Sequence, residues 1–383
     1  RAYATQSTHK KLSSLRQGAM IHVYDEEFKR KVEDTFHEAY MTHTSTSPNY
    51  QILASLDVAR RQAELEGFVL VQKSVEMAMT LRAKISEHPV LKRYYEVLTI
   101  RDLIPSAYRS SGLEQYYDPE EGWSRMEEAW RTDEFVLDPT HITLAVGKAG
   151  IDGDTFKGRY LMDQFGIQVN KTSRNTVLFM TNIGTTRSSV AYLISVLVKI
   201  AEQLRAEELS LNPTEADLHK QRIVSLTEKL PPLPDFSRFH AAFSPNPGTP
   251  EGDLRSAFFM AYDETACEYL KMDGSISEAI VSGREVVSAS FIIPYPPGFP
   301  ILVPGQVISE EILAFMHALD VKEIHGYRPD LGLRVFTEAA MRAVSAKRAH
   351  AGERGDGNIE PAEPVLAPPR RRGSKAGATS DVN

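Results

Sequence analysis

A single cysteine in 383 residues, Cys267, has nothing to pair with inside the chain. A disulfide framework is therefore excluded, and the residue reads as a small buried hydrophobe rather than a nucleophile. No apolar run approaches the roughly 20 residues that a membrane-spanning helix needs. Positive charge is the minority, with 44 Lys and Arg against 51 Asp and Glu for a net charge of -7. That balance offers neither nucleic acid nor an anionic membrane surface an electrostatic foothold, and it does not repel a cationic small molecule. No internal repeat is present, and no metal site is expected. What remains is a 42% hydrophobic, 25% charged chain of ordinary globular make-up, long enough for two or three domains and expected in the cytoplasm. It opens on Arg1 in what reads as the middle of a domain, so the C-terminal portion of a longer protein is expected.

Periodicity orders the chain. Gln17 to Tyr24 predicts a short buried strand, Asp25 caps a helix to about Tyr40, and the hydroxyl run Thr42 to Ser47 must be a loop ahead of Pro48. Pro48 suits the first turn of a helix ending near Gly67, and a second helix is expected from Val69 to about Ile85. Strands are expected at His141 to Val146, Ile167 to Lys171 and Thr176 to Ile183. A helix over Asp154 to Phe165 should stop at Gly166, and Thr185 or Thr186 should cap a long helix reaching about Ala206. Pro231 to Pro234 and Pro245 to Pro250 read as linkers. Beyond them a helix is expected around Asp253 to Leu270, a buried strand over Val286 to Ile293 and a helix over Ser309 to Leu319. From about Ser345 the composition loses periodicity and predicts a disordered tail, in which Arg370 to Arg372 are a solvated charge run.

Chemistry is concentrated at the start, in Thr5-Gln6-Ser7-Thr8-His9-Lys10. A lysine amine does covalent work once it can lose its proton, and a lysine among hydroxyls suits pyridoxal 5'-phosphate (PLP). Ser7 and His9 then have a phosphate to bond, and His9 can also cover the lysine. Two distant segments belong to the same pattern: Tyr40 to Tyr50 (YMTHTSTSPNY) and Pro294 to Gly305 (PYPPGFPILVPG). With Tyr3 to Lys10 and Ala19 to Val23, they closely resemble the bacterial ornithine/lysine/arginine decarboxylases, in the family's order and over roughly residues 1 to 340.

The resemblance implies an α/β protein of the PLP fold-type I, aspartate-aminotransferase-like class. Residues 1–66 would end the PLP-binding large domain, 67–210 would form an α+β small domain, 211–344 a C-terminal α+β decarboxylase domain, and 345–383 the tail. It implies decarboxylation of a basic L-amino acid, arginine, lysine or ornithine, with Lys10 and His9 catalytic and Lys10, His9, Ser7, Ser45 and Thr46 holding PLP. The last two would reach across a homodimer interface to the partner's phosphate, where three adjacent hydroxyls make an anion cradle. Tyr295, beside a proline-rich turn, would border the substrate channel. Asn170 stands where relatives commonly carry a glutamate that reads the substrate's distal cation. A neutral amide forfeits that ion pair, so the choice of amino acid stays open, and nearby Arg174 raises a less cationic substrate. The family's acid for the pyridine nitrogen and its ring-stacking histidine lie upstream of the matching segment, so the isolated 383 residues are expected to turn over little or not at all with added PLP. Two alternatives stay open: another PLP reaction such as aminotransfer, since fold does not fix chemistry, and a non-catalytic dimerisation partner of a full-length enzyme.

Overall fold

The computed structural model describes residues 2–353 except 118, 119, 121, 230, 231, 245–251, 273, 296, 297 and 320–322. The Pro245 to Pro250 linker, Pro296 and Pro297 of the proline-rich turn, and the tail from residue 354 thus lie outside the described residues. The architecture is mixed α/β, and the chain divides into two compact units.

The larger unit comprises residues 1–235, 292–301 and 310–326. It opens on strand β1 (Ala2–Gln6), a single helical turn α1 (Thr8–Lys11) and strand β2 (Met20–Tyr24). β1 and β2 pair antiparallel as a two-stranded sheet. The expected buried strand here is exposed from Ile21 to Tyr24, because no third described strand extends the sheet. After helix α2 (Glu33–His43) comes α3, a 38-residue helix from Tyr50 to Glu87. Its cap is Asn49, whose side chain accepts from the amides of Gln51 and Ile52, so Pro48 lies outside the helix rather than in its first turn.

Two helices broken at Gly67 were expected, and one runs through. Gly67 keeps a negative φ, no proline follows it, and the hydrogen-bond ladder continues at only the modest cost of glycine's backbone freedom. A Cβ built there meets only the Ala63 Cβ at 3.5 Å, an ordinary contact. Gly67→Ala is therefore expected to raise stability by about 0.5–1 kcal/mol, read as a higher urea midpoint. A lower midpoint would mean the helix needs glycine at this position.

The core of this unit is built on a four-stranded sheet ordered β3 (Glu96–Val97), β4 (His141–Ala145), β6 (Thr176–Met180), β5 (Lys171–Thr172) among the described residues. β4 and β6 alternate buried and half-buried positions, and their register puts Ile142 opposite Phe179 and Leu144 opposite Val177 on the buried face. Helix α4 (Arg187–Ser210) packs Val190, Leu197, Ile200, Ala201 and Leu204 into the same cluster, a helical stripe meeting a strand face. The C-terminal half of α3 contributes Met77, Ala78, Leu81 and Ile85. Its N-terminal half leaves Leu65 and Phe68 exposed.

The helical stretch from Gly153 to Phe165 ends as expected at Gly166, whose φ of 66° is left-handed. α5 (Pro213–Thr227) was missed, although its Asn212–Glu215 capping box with Pro213 in the first turn is written in the sequence. The expected strand at Ile167 to Lys171 is confined to Lys171–Thr172, and the segment before it runs as irregular chain. Within this unit Ile293–Tyr295 pairs with Glu323–His325, and Glu310–Leu319 is helical as expected.

The smaller unit comprises residues 236–291, 302–309 and 327–383, described as far as residue 353. Strands Tyr327–Arg328, Gly332–Phe336 and Cys267–Leu270 form a three-stranded sheet, and Val286–Val287 pairs with Val307–Ile308. The helix expected to run from Asp253 to Leu270 stops at Met260, because Asp263 starts a new turn and Cys267–Leu270 is taken by the sheet. Cys267 is half-buried rather than buried, and burial still pushes its thiol pKa up, which disfavours the thiolate. The final helix, Glu338–Glu353, continues past Ser345, since its alanines and the Glu338–Arg342 pair suit a helix despite the change in composition.

Candidate active site

Lys10 is positioned through main-chain carbonyls of α1. Its carbonyl accepts from Asn182 Nδ2 at 3.5 Å, and the carbonyl of Lys11 accepts from the Ile183 amide at 3.4 Å. The turn after β6 therefore holds α1. That turn is internally braced: the Asn182 amide donates to Thr185 Oγ1 at 3.0 Å, and the Gly184 amide to Asn182 Oδ1 at 2.9 Å. Thr186 then caps α4 by accepting from the Ser189 amide at 3.1 Å.

Between these elements lies an open cleft of about 1020 Å³. Its described lining includes the basic side chains His9, Lys10 and Arg16 and the phenol of Tyr192. Gln168, Asn170 and Asn182 contribute amides, and Thr181, Thr185 and Ser189 contribute hydroxyls. No Asp or Glu is among the described lining residues, so the cleft favours anions, and the positive end of α4 adds to that preference.

His9 Nδ1 lies 3.1 Å from the Gly18 carbonyl, which can only accept, so Nδ1 carries hydrogen and Nε2 is left for a ligand. Lys10 is exposed, and no carboxylate pairs with it among the described residues. Its neighbour Lys11 is committed elsewhere: Nζ lies 3.2 Å from Asp138 Oδ2 and donates to Thr140 Oγ1. The unpaired amine of the two is Lys10.

Asp138 anchors this region. Burial would raise its pKa, but hydrogen bonds from His141 and Thr140, with the Lys11 charge, outweigh burial and hold the carboxyl well below the usual carboxylate range. With the folded value below the unfolded one, its contribution to stability is complete above about pH 4 and is lost as pH falls through the folded value. Asp138→Asn should therefore lower the urea midpoint at pH 7 by more than it does near pH 3. An equal loss at both pH values would contradict the assignment.

The cleft brings together His9, Lys10 and Asn170 of the expected site residues. Ser7 precedes α1 and is exposed, outside the lining, although its carbonyl accepts from the Lys10 amide at 3.1 Å. Ser45 and Thr46 sit on an exposed loop, also outside the lining, where Ser45 Oγ accepts from the Ser47 amide at 3.1 Å. Tyr295 is exposed on Ile293–Tyr295 with its ring edge-on to His325, again outside the lining. Arg174 is not available to a ligand in the cleft, because it donates to the Ala318 carbonyl at 2.8 Å and to Ser225 Oγ at 3.0 Å. Asn170 Nδ2 has only the Met180 sulfur at 3.9 Å, a weak acceptor, so its amide is free to meet a ligand.

Sequence reasoning missed Arg16, Gln17, Asn182, Thr185 and Ser189 as lining residues. The Asn182-Ile183-Gly184-Thr185 run carries a turn signal that could have found two of them. Nothing marks Gln17, the one described non-glycine residue with positive φ, at 70°.

Residues 1–189 match the family model described as the Orn/Lys/Arg decarboxylase major domain. Over this stretch the chain is similar to the Orn/Lys/Arg decarboxylase family. The inducible lysine decarboxylase of Escherichia coli (strain K12) is 29% identical in an alignment covering 83% of this chain and 45% of that protein. The arginine decarboxylase of Bacillus subtilis (strain 168) is 24% identical, covering 90% and 55%. Among solved structures, the Francisella novicida lysine decarboxylase matches with a TM-score of 0.53 at 25% identity, covering 87% of this chain and 48% of that one. The chain spans about half the length of the curated relatives it matches.

Proposed function

We propose that this chain carries the lysine-bearing part of a PLP-dependent decarboxylase that converts a basic L-amino acid, arginine, lysine or ornithine, to the corresponding amine and carbon dioxide in the cytoplasm. The observation that carries the reading is Lys10, an amine with no carboxylate partner among the described residues, in a cleft whose described charged side chains and histidine are His9, Lys10 and Arg16, within the stretch that matches the family. The donor set suits PLP, with an amine for its aldehyde carbon and cationic and hydroxyl groups for its phosphate.

Bound there, PLP would supply the electron sink for the bond to the carboxylate. Lys10 holds the cofactor and afterwards returns a proton from Nζ to the carbon that has lost carbon dioxide. His9, kept in orientation by Gly18, would hold the phosphate, and Ser7, outside the lining as it stands, would join it once the cofactor is bound. Arg16 supplies a further cation for phosphate or substrate carboxylate. Ser45 and Thr46, outside the lining of their own subunit's cleft, serve the second subunit of a homodimer, and Asn170 and Tyr295 bear on substrate choice.

The domains follow the family plan of the large-domain end at 1–66, the small domain at 67–210 and the decarboxylase domain at 211–344. α3 crosses the first boundary as a rigid connection. Product analysis tests the function in the enzyme as its source cell assembles it. Carboxyl-labelled lysine, arginine or ornithine should release labelled carbon dioxide with the matching amine. A keto acid without carbon dioxide would replace this reading with aminotransfer, and no turnover of any of the three would favour a non-catalytic partner.

A further inference from the structure

A second site, sharing no lining residue with the Lys10 cleft, centres on Arg82 of α3. Its Nη2 donates to the His141 carbonyl, while its Nε is shielded from solvent without a hydrogen-bond partner. Burial pulls its pKa down to about 10, against smaller opposing effects from Tyr116 and Asp138, so the guanidinium stays charged at neutral pH. Among the described residues no carboxylate comes within ion-pair distance of it. A partly desolvated cation is costly unless something pairs with it, and among the described residues its one hydrogen-bond partner is that carbonyl.

Against Arg82 lies a cavity of about 170 Å³. Val97, Ile100 and Leu137 give it apolar walls and Tyr116 an aromatic one. The Tyr116 hydroxyl is spent on the Leu137 backbone at 2.8 Å and the Thr99 hydroxyl on Asp102 at 2.8 Å, so neither offers a free donor. Glu87, the one carboxylate among the described lining residues, is 53% exposed and faces Lys84 at 3.9 Å. An apolar cavity of ~150 Å³ admits a benzene-sized molecule, so this space exceeds what a chloride ion or one water would fill. One guanidinium balances one negative charge, whereas a phosphate dianion would bring a second charge into apolar walls.

We propose that this cavity binds a small organic monocarboxylate with an apolar or aromatic body, its carboxylate on Arg82 and its body against Ile100, Tyr116 and Leu137. The proposal does not depend on the decarboxylase reading.

Titration of the full chain with benzoate, and with benzyl alcohol as the uncharged probe of similar body, tests it. Benzoate should bind at least about 10-fold more tightly, the expected worth of a charged hydrogen bond, and Arg82→Gln should reduce it to the level of benzyl alcohol. In the unmutated chain, labelled methyl groups of Ile100 and Leu137 should show magnetisation transfer to the benzoate ring, a readout independent of whether the variant folds. Equal binding of the two probes, transfer to methyl groups elsewhere, or no binding of benzoate would overturn the proposal.

Discussion

Replacing Lys10 with alanine is expected to cut decarboxylation by the assembled enzyme at least about a thousandfold, because it removes both the cofactor's covalent attachment and the group that returns the proton. Stability should barely change. Lys10 is exposed and makes no ion pair among the described residues, and substitutions of that kind usually stay within about 0.5 kcal/mol. Lys11→Ala separates the two lysines. It breaks the contacts to Asp138 and Thr140, so it should lower the urea midpoint while most of the turnover survives. Steady-state rates beside urea midpoints for both variants check the pair. Loss of turnover in Lys11→Ala with Lys10→Ala still active would reverse the assignment.

The second large effect is structural. Phe156 is fully buried, with its ring 5.6 Å from Tyr95 in an edge-on contact and 6.1 Å from Tyr160 in a stacked one. It belongs to the cluster that supports β4, β6 and α4, the elements that hold the cleft wall. Phe156→Ala removes a large apolar transfer term and leaves a cavity that three rigid elements cannot close, so it should cost about 3–5 kcal/mol. The measurement is the urea midpoint at constant slope. A loss under about 1 kcal/mol would mean that the site collapses around the smaller side chain, and that the cluster is less tightly packed than the structure has it.

Much of this was legible in the chain. The strict alternation of β4 and β6, the Gly166 stop and the Thr186 cap are local signals, and each formed where its residues ask for it. That His9 and Lys10 would lie together was also readable, because their motif is contiguous. What failed depended on the environment. Gly67 reads as a breaker, yet nothing around it requires a left-handed φ, so the helix passes through. Met20–Tyr24 reads as buried, yet it pairs with one strand only and stays exposed. The cleft wall from Thr181 to Ser189 reaches α1 across more than 170 positions through one side-chain and one backbone hydrogen bond to the carbonyls of Lys10 and Lys11, and no pattern in either segment announces that meeting. Arg174 looked available from its position in the chain, and only the structure shows its donors spent on Ala318 and Ser225.

The most direct test is covalent. Borohydride reduction of the intact enzyme with its pyridoxal phosphate in place, followed by peptide mapping, should fix the cofactor on Lys10 and nowhere else. Label on Lys11 or another lysine, or no label at all, would contradict the assignment of this cleft.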